Sequence, residues 1–265
     1  MRDLTYPSIV RVATAGFRVL GIRFQMSGTH HIPRTGPALL AINHVSYLDF
    51  IFGGYAARPS GRLVRFMAKR EIFDHRVAGP VMRSMHHISV DRGDGLGSYR
   101  EALRYLSAGE VVGVFPEATI SRSFEIKELK SGATRMAAAA GVPLIPMVLW
   151  GTQRMWTKDH RKDFSRGRTV AITVGEPLFP SRRNPGEEQE RLRSAMSALL
   201  DRTIRAYPAQ EQPPGSWWLP ASYGGSAPTP ERAAELDAAE KRDRAARRRS
   251  RESGAAAPDG PAPEG

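Results

Sequence analysis

Short apolar runs recur along the chain and stop abruptly at polar residues, and between them lie stretches whose apolar positions fall three or four apart. The first run, Pro37 to Ile42, reads as a buried strand that ends at Asn43-His44. Arg62 to Ala68, His87 to Val90, Val111 to Phe115, Met147 to Trp150 (opened by Val142-Pro143-Leu144-Ile145-Pro146) and Val170 to Val174 read as further strands. Helical spacing predicts Arg76 to Met85, Gly95 to Ala108 with Tyr99, Leu103 and Leu106 on one face, and Lys127 to Ala140 closed by Gly141. A last helix carries Leu192, Ala195, Met196, Leu199, Leu200 and Ile204 as one apolar stripe. Strands alternating with helices predict a single α/β domain, a mostly parallel or mixed central sheet with helices on both faces.

The two ends differ from this middle. Residues 1–25 are apolar with Arg11 and Arg18 on one helical face, so two readings stand: an amphipathic segment lying in a membrane interface, or a helix packed on the core. The α/β domain is expected over 26–220. Trp217-Trp218, near its end, is either a cap packed on the domain or an interfacial anchor. Residues 221–265 are rich in Ala, Pro, Gly and mixed charge and are expected to be a disordered tail, with a transient helix at most over Pro230 to Arg249.

Composition narrows the chemistry. The chain has 265 residues and no cysteine, which excludes disulfides, thiolate catalysis and cysteine-ligated zinc. No secretory signal and no transmembrane helix are expected. The net charge is +12, yet eight basic residues from Pro228 onward are matched by eight acidic ones, so the excess belongs to the folded part. Arg58 to Arg83 alone holds seven basic residues against two acidic ones. A basic face suits phosphate-bearing metabolites, an anionic bilayer, an acidic carrier protein or nucleic acid; a merely solvated arginine-rich surface is the plainer account.

The candidate chemistry lies where strands stop. Ser46 and Asp49 form a capping pair that would start a helix at Tyr47 and set Asp49 in its first turn. From there a carboxylate can reach back and hold the ring of His44. A neutral imidazole so oriented takes a proton from an alcohol near neutral pH; the alternative is a hydrogen-bonded histidine with no role in catalysis. His86 and Asp91 share the spacing, but an odd offset along a strand sets them on opposite faces. Lys69, Arg92 and Glu117 also fall at strand exits, where an α/β sheet gathers its ligands. Two cations and a base suit a phosphorylated alcohol. Glu117 fits better as a partner for a cation or for a substrate hydroxyl.

Taken in order, Asn43-His44-x4-Asp49, Ile88-Ser89-Val90-Asp91-Arg92, Phe115-Pro116-Glu117-Ala118-Thr119 and Val142-Pro143-Leu144-Ile145-Pro146 resemble the four boxes of the lysophosphatidate acyltransferase (1-acylglycerol-3-phosphate O-acyltransferase) family and its glycerolipid relatives. The resemblance spans roughly residues 37 to 150. It implies His44 as the base and Asp49 as its orienter, with Arg92, Glu117 and Thr119 binding the acceptor. The third box departs from the pattern at Ala118, where glycine is usual, and at Ile120, where arginine is frequent, so Arg122 or Lys69 would supply that charge. The reaction so implied moves a fatty acyl group from an acyl-CoA or acyl carrier protein thioester to the free hydroxyl of 1-acylglycerol-3-phosphate, giving phosphatidate. No metal or other cofactor is implied. The implied partners are the thioester, a lysophospholipid and an anionic membrane surface, not nucleic acid, at the cytoplasmic face of the cell membrane and held peripherally or monotopically. The rivals are a different lyso-lipid acceptor and a basic binding module without chemistry.

Overall fold

The computed structural model describes Asp3, residues 5–91 and residues 95–254. Seven strands form one sheet: β1 Arg23–Ser27, β2 Ala38–Ile42, β3 Val64–Lys69, β4 Ile88–Val90, β5 Val111–Val114, β6 Leu144–Trp150 and β7 Thr169–Val174. Their order is β1-β7-β6-β2-β5-β3-β4, and every neighbouring pair is parallel except β6 with β7. The helices are α1 Tyr6–Val19, α2 Asp49–Ala56, α3 Arg70–Phe73, α4 Ala78–Ser84, α5 Gly95–Ser107, α6 Gly132–Ala140, α7 Pro185–Ala206 and α8 Pro230–Gly254.

The period of two along β2 makes the layers. Ala38, Leu40 and Ile42 join one core with Phe17 of α1 and Phe52 and Ala56 of α2. Leu39 and Ala41 join the other, with α5, α6 and the Leu192–Met196 part of α7. All five β2 residues are buried, as expected of a strand covered on both sides. The next turns of α7, carrying Leu199, Leu200 and Ile204, pack on Trp150 and Trp218. Of the two readings of the tryptophan pair the structure takes the cap. Trp218 is buried beside Trp150 and Tyr207, and Trp217 stacks on His160 at 3.7 Å.

Several expected boundaries move. Residues 1–25 do not form one helical segment, because Gly21 at φ +60° turns the chain and Arg23–Ser27 becomes an edge strand with alternate residues exposed. Helix α1 packs Tyr6 and Phe17 inward and leaves Val12 and Val19 exposed beside Arg11 and Arg18. The helix after β2 starts at Asp49 instead of Tyr47, and α6 starts at Gly132 instead of Lys127. Where a disordered tail was expected from 221, the structure has a short 3-10 turn, Ala221–Tyr223, and then α8. Its acidic side chains meet basic partners on the domain, which sequence spacing does not show. Residues 255–265 lie outside the described residues, as do Met1, Arg2, Leu4 and residues 92–94.

Candidate active site

Strands β2 to β6 run the same way, so the residues following them meet at one edge of the sheet. His44, two residues past β2, stands there with 22% of its side chain exposed. Its ring lies against Phe115, centroids 4.4 Å apart. Its Nδ1 is 3.0 Å from Oδ2 of Asp49. With Nδ1–H donating to the carboxylate, Nε2 carries the lone pair and is the nitrogen available to a substrate.

Asp49 is fully buried, and burial of a carboxylate requires donors. Its Oδ2 also accepts the backbone N–H groups of Val45 and Ser46, each at 2.7 Å, and its Oδ1 accepts the Thr152 hydroxyl at 2.7 Å. The Ser46 bond is the returning half of a capping box, but the Ser46 hydroxyl accepts from Leu48 N–H and donates to the Trp156 carbonyl. Those bonds lock the 43–48 turn two residues longer than expected. The segment after β6 completes the clamp, with Thr157 Oγ1 donating to the Val45 carbonyl and Tyr47 N–H to the Trp156 carbonyl. Gly151 makes this return possible, since it sits at φ +94° and a Cβ there would meet the Thr169 carbonyl oxygen at 2.4 Å. Thr152 was not among the residues singled out from sequence. Its only sequence signal is its position just after a buried strand that ends on this edge.

Glu117, three residues past β5, reaches the same loop, with Oε1 accepting the His44 backbone N–H at 3.0 Å. Burial pushes its carboxyl up to about 8, against the lowering effects of that N–H and of Lys127. It is therefore protonated at neutral pH, which removes the repulsion toward phosphate expected of a carboxylate at this place. Among the described residues no partner meets its buried Oε2, so a hydroxyl proton carried there is not engaged. Ala118 holds φ +61°, a left-handed conformation that accounts for the usual glycine in the third box. Ile120 is buried and apolar, so position 120 brings no charge to the site.

Thr119 Oγ1 accepts from Lys127 Nζ at 2.6 Å, and Lys127 also reaches Asp237 of α8 at 3.0 Å. Arg122 is nearly buried and is bonded to Asp159 at 2.6 Å, to Asp237, and to Glu240 at 3.0 Å. Ser121 N–H donates to the His44 carbonyl at 2.7 Å, so this cation cluster adjoins the histidine through the backbone. Lys69 closes β3 on the same edge, half-buried. Arg92 lies outside the described residues. Helix α8 was not expected here, and neither Lys127 nor Lys158 was singled out from sequence. The structure therefore brings His44, Asp49, Lys69, Glu117, Thr119 and Arg122 to one rim. A cavity of about 440 Å³ lies elsewhere, between α1 and the α2–β3 connection, at the opposite end of α2 from His44.

A base held by a buried carboxylate, a neutral carboxyl donor and a cluster of cations at a sheet edge can activate a hydroxyl on a phosphate-bearing molecule. Among the described residues no group of three His, Asp or Glu side chains is placed to hold a metal ion. No helix among them is long and apolar enough to cross a membrane.

Comparison with known proteins points to one family and one fold. Residues 23–150 match the family model described as Acyltransferase. A protein named 1-acyl-sn-glycerol-3-phosphate acyltransferase from Bacillus subtilis is 29% identical over 66% of this chain and 83% of its own. A protein of the same name from Limnanthes douglasii is 29% identical over 75% of this chain and 68% of its own. The mouse protein named 1-acyl-sn-glycerol-3-phosphate acyltransferase alpha is 36% identical, over 56% of this chain and 52% of its own. The crystal structure of the LPA acyltransferase PlsC from Thermotoga maritima superposes with a TM-score of 0.64 at 22% identity, covering 76% of this chain and 80% of that one. At that identity the superposition speaks for the fold.

Proposed function

We propose, from the match of residues 23–150 to the acyltransferase family, that the chain acylates the free hydroxyl of 1-acylglycerol-3-phosphate, forming phosphatidate. The donor is a thioester, acyl-CoA or acyl carrier protein. His44 Nε2 takes the hydroxyl proton as the oxygen attacks the thioester carbonyl. The tetrahedral intermediate then collapses with loss of the thiolate, which receives that proton from the imidazolium, so one C–S bond is exchanged for one C–O bond. Asp49 fixes the ring and stabilises its charged form. Glu117, protonated, donates to an acceptor oxygen, while Lys69 and the Arg122 cluster, together with Arg92 on the family resemblance, bind its phosphate.

The observation that carries this reading is the 3.0 Å bond from His44 Nδ1 to a carboxylate that is itself buried and held by Val45, Ser46 and Thr152. General-base catalysis contributes ~10²–10⁴-fold. The test is release of free thiol from an acyl-CoA in the presence of lysophosphatidate. His44→Ala should lower turnover by about that factor with its unfolding transition unchanged. Near-normal turnover in that variant ends the proposal. Buried Ile120 favours a second reading, in which the acceptor is a lysophospholipid with a different head group. Saturation with a panel of acceptors against one acyl donor separates the two. Exposed Val12 and Val19 beside Arg11 and Arg18, and exposed Ile72, Val77 and Val81 beside Arg76 near the rim, support peripheral attachment to an anionic membrane surface.

A further inference from the structure

Helix α8 lies against the domain in a way its sequence does not explain by apolar burial. Of its apolar side chains up to Arg247, only Ala233 is buried and Leu236 and Ala239 are partly so, and every residue from Lys241 to Arg247 is exposed. What meets the domain is charge. Asp237 and Glu240, three apart and on one face, enter a cluster of three cations. Arg122 binds both, Lys127 binds Asp237 at 3.0 Å, and Lys158 binds Glu240 at 2.8 Å and Asp237 at 3.5 Å. Asp159 adds a third carboxylate on Arg122, from the domain itself.

This cluster is part of the catalytic rim. Lys127 also bonds Thr119 of the third box, and the residue before Arg122 is hydrogen-bonded to the His44 carbonyl. After burial, the charges of Glu240 and Asp159 are the next causes pushing the Tyr47 phenol up, so α8 reaches the field of the His44–Asp49 loop itself. A helix fixed by five ion pairs and little apolar area is displaced cheaply by a competing anion or by salt, since its release exposes few apolar atoms to water. Two carboxylates that present three oxygens to the three cations, Asp237 Oδ1 and Oδ2 and Glu240 Oε2, match the charge and the three acceptor oxygens of one phosphate monoester dianion.

We propose that Arg122, Lys127 and Lys158 form a phosphate-monoester site beside the base, and that α8 is a strap whose Asp237 and Glu240 occupy that site until a phosphate ligand displaces them. The phosphate is that of the glycerol-phosphate acceptor or the ribose 3′-phosphate of a coenzyme A donor; the strap serves either. The inference builds on the proposed acyl transfer, but its test requires no turnover.

Amide hydrogen exchange on the full chain reads the strap directly. At fixed ionic strength, saturating glycerol 3-phosphate or inorganic phosphate should raise exchange over residues 233–240 at least fivefold above a chloride control. A parallel arm with coenzyme A alone tells which phosphate does it, and release in either arm supports the strap. The double variant Asp237→Asn/Glu240→Gln should show the raised exchange without ligand and bind glycerol 3-phosphate about tenfold more tightly by calorimetry. Exchange that stays unchanged or slows with all three ligands, or a double variant that binds no more tightly, overturns the proposal. The wild-type exchange result decides the matter even if the variant misfolds. A chain that releases α8 to phosphate yet transfers no acyl group would refute the enzymatic reading and leave the strap standing.

Discussion

Replacing Glu117 with Gln isolates the cost of burying an acid beside His44. The native carboxyl titrates at about 8 because of burial, whereas the unfolded one titrates at its ordinary 4.5. Between those values the unfolded chain has lost a proton that the native chain retains, so stability falls as pH rises and levels off above about 8. At 1.36 kcal/mol per unit, the linkage integrated from pH 5 to pH 8 amounts to ~3.5 kcal/mol. Glutamine keeps the shape and an oxygen for the His44 N–H but cannot ionise. Urea unfolding of both proteins at pH 5, 6, 7 and 8, followed by far-UV circular dichroism, should therefore show the variant gaining on the wild type by about that much across the range. Other titrating groups are common to both and cancel. A stability difference that stays flat to within about 1 kcal/mol would mean that Glu117 is ionised in the native state, and the neutral-donor role would fall with it.

Asp49→Asn removes the charge that gathers three N–H donors and the Thr152 hydroxyl; turnover should drop by ~10²–10⁴-fold, and a loss under tenfold would count against the orienting role. Ala118→Gly relieves a left-handed φ of +61° and should stabilise the fold by about 1 kcal/mol in thermal or urea unfolding, whereas a destabilised variant would show the strain absent. Burial raises the Glu211 carboxyl, but its bonds to Thr169, Arg154 and Arg23 outweigh that and hold it near about 2. The stability it confers is present above the ordinary value of 4.5 and is lost as pH falls through about 2, so wild type and Glu211→Gln should converge in acid. A gap that persists to the lowest pH would refute the assignment. In about 1 M salt, where charges are screened beyond ~3 Å, exchange over α8 should rise while that of α7, fixed by its apolar stripe, should not; equal behaviour of the two would contradict the ionic account.

The parts of this architecture legible in the sequence are those in which one residue's neighbours along the chain decide its fate. The Ala38–Ile42 run can only be a strand covered on both sides, and the stripe from Leu192 to Ile204 can only be one helix face on a core. The spacing of His44 and Asp49 likewise foretold a contact made within a single turn. Strand β1 was missed because Arg-Phe-Gln-Met-Ser is half polar and becomes a strand only when β7, almost 150 residues later, offers a parallel edge. Thr152 was missed because it matters only through a buried partner 103 residues away. The docking of α8 was invisible because a neutral mixture of charges carries no address until Arg122, Lys127 and Lys158 have been placed by other elements.

The side chain of Asn43 behaves as an extra peptide group, its amide donating to the Leu149 carbonyl at 3.1 Å and its oxygen accepting the Leu149 N–H at 2.7 Å. It thus stitches the end of β2 to the end of β6, one residue before the histidine on one side and three before the threonine brace on the other. Both His44 and the threonine that braces Asp49 take their position from a single seam in the backbone. Their alignment is therefore settled when the sheet assembles, and substrate arrival has little left to organise.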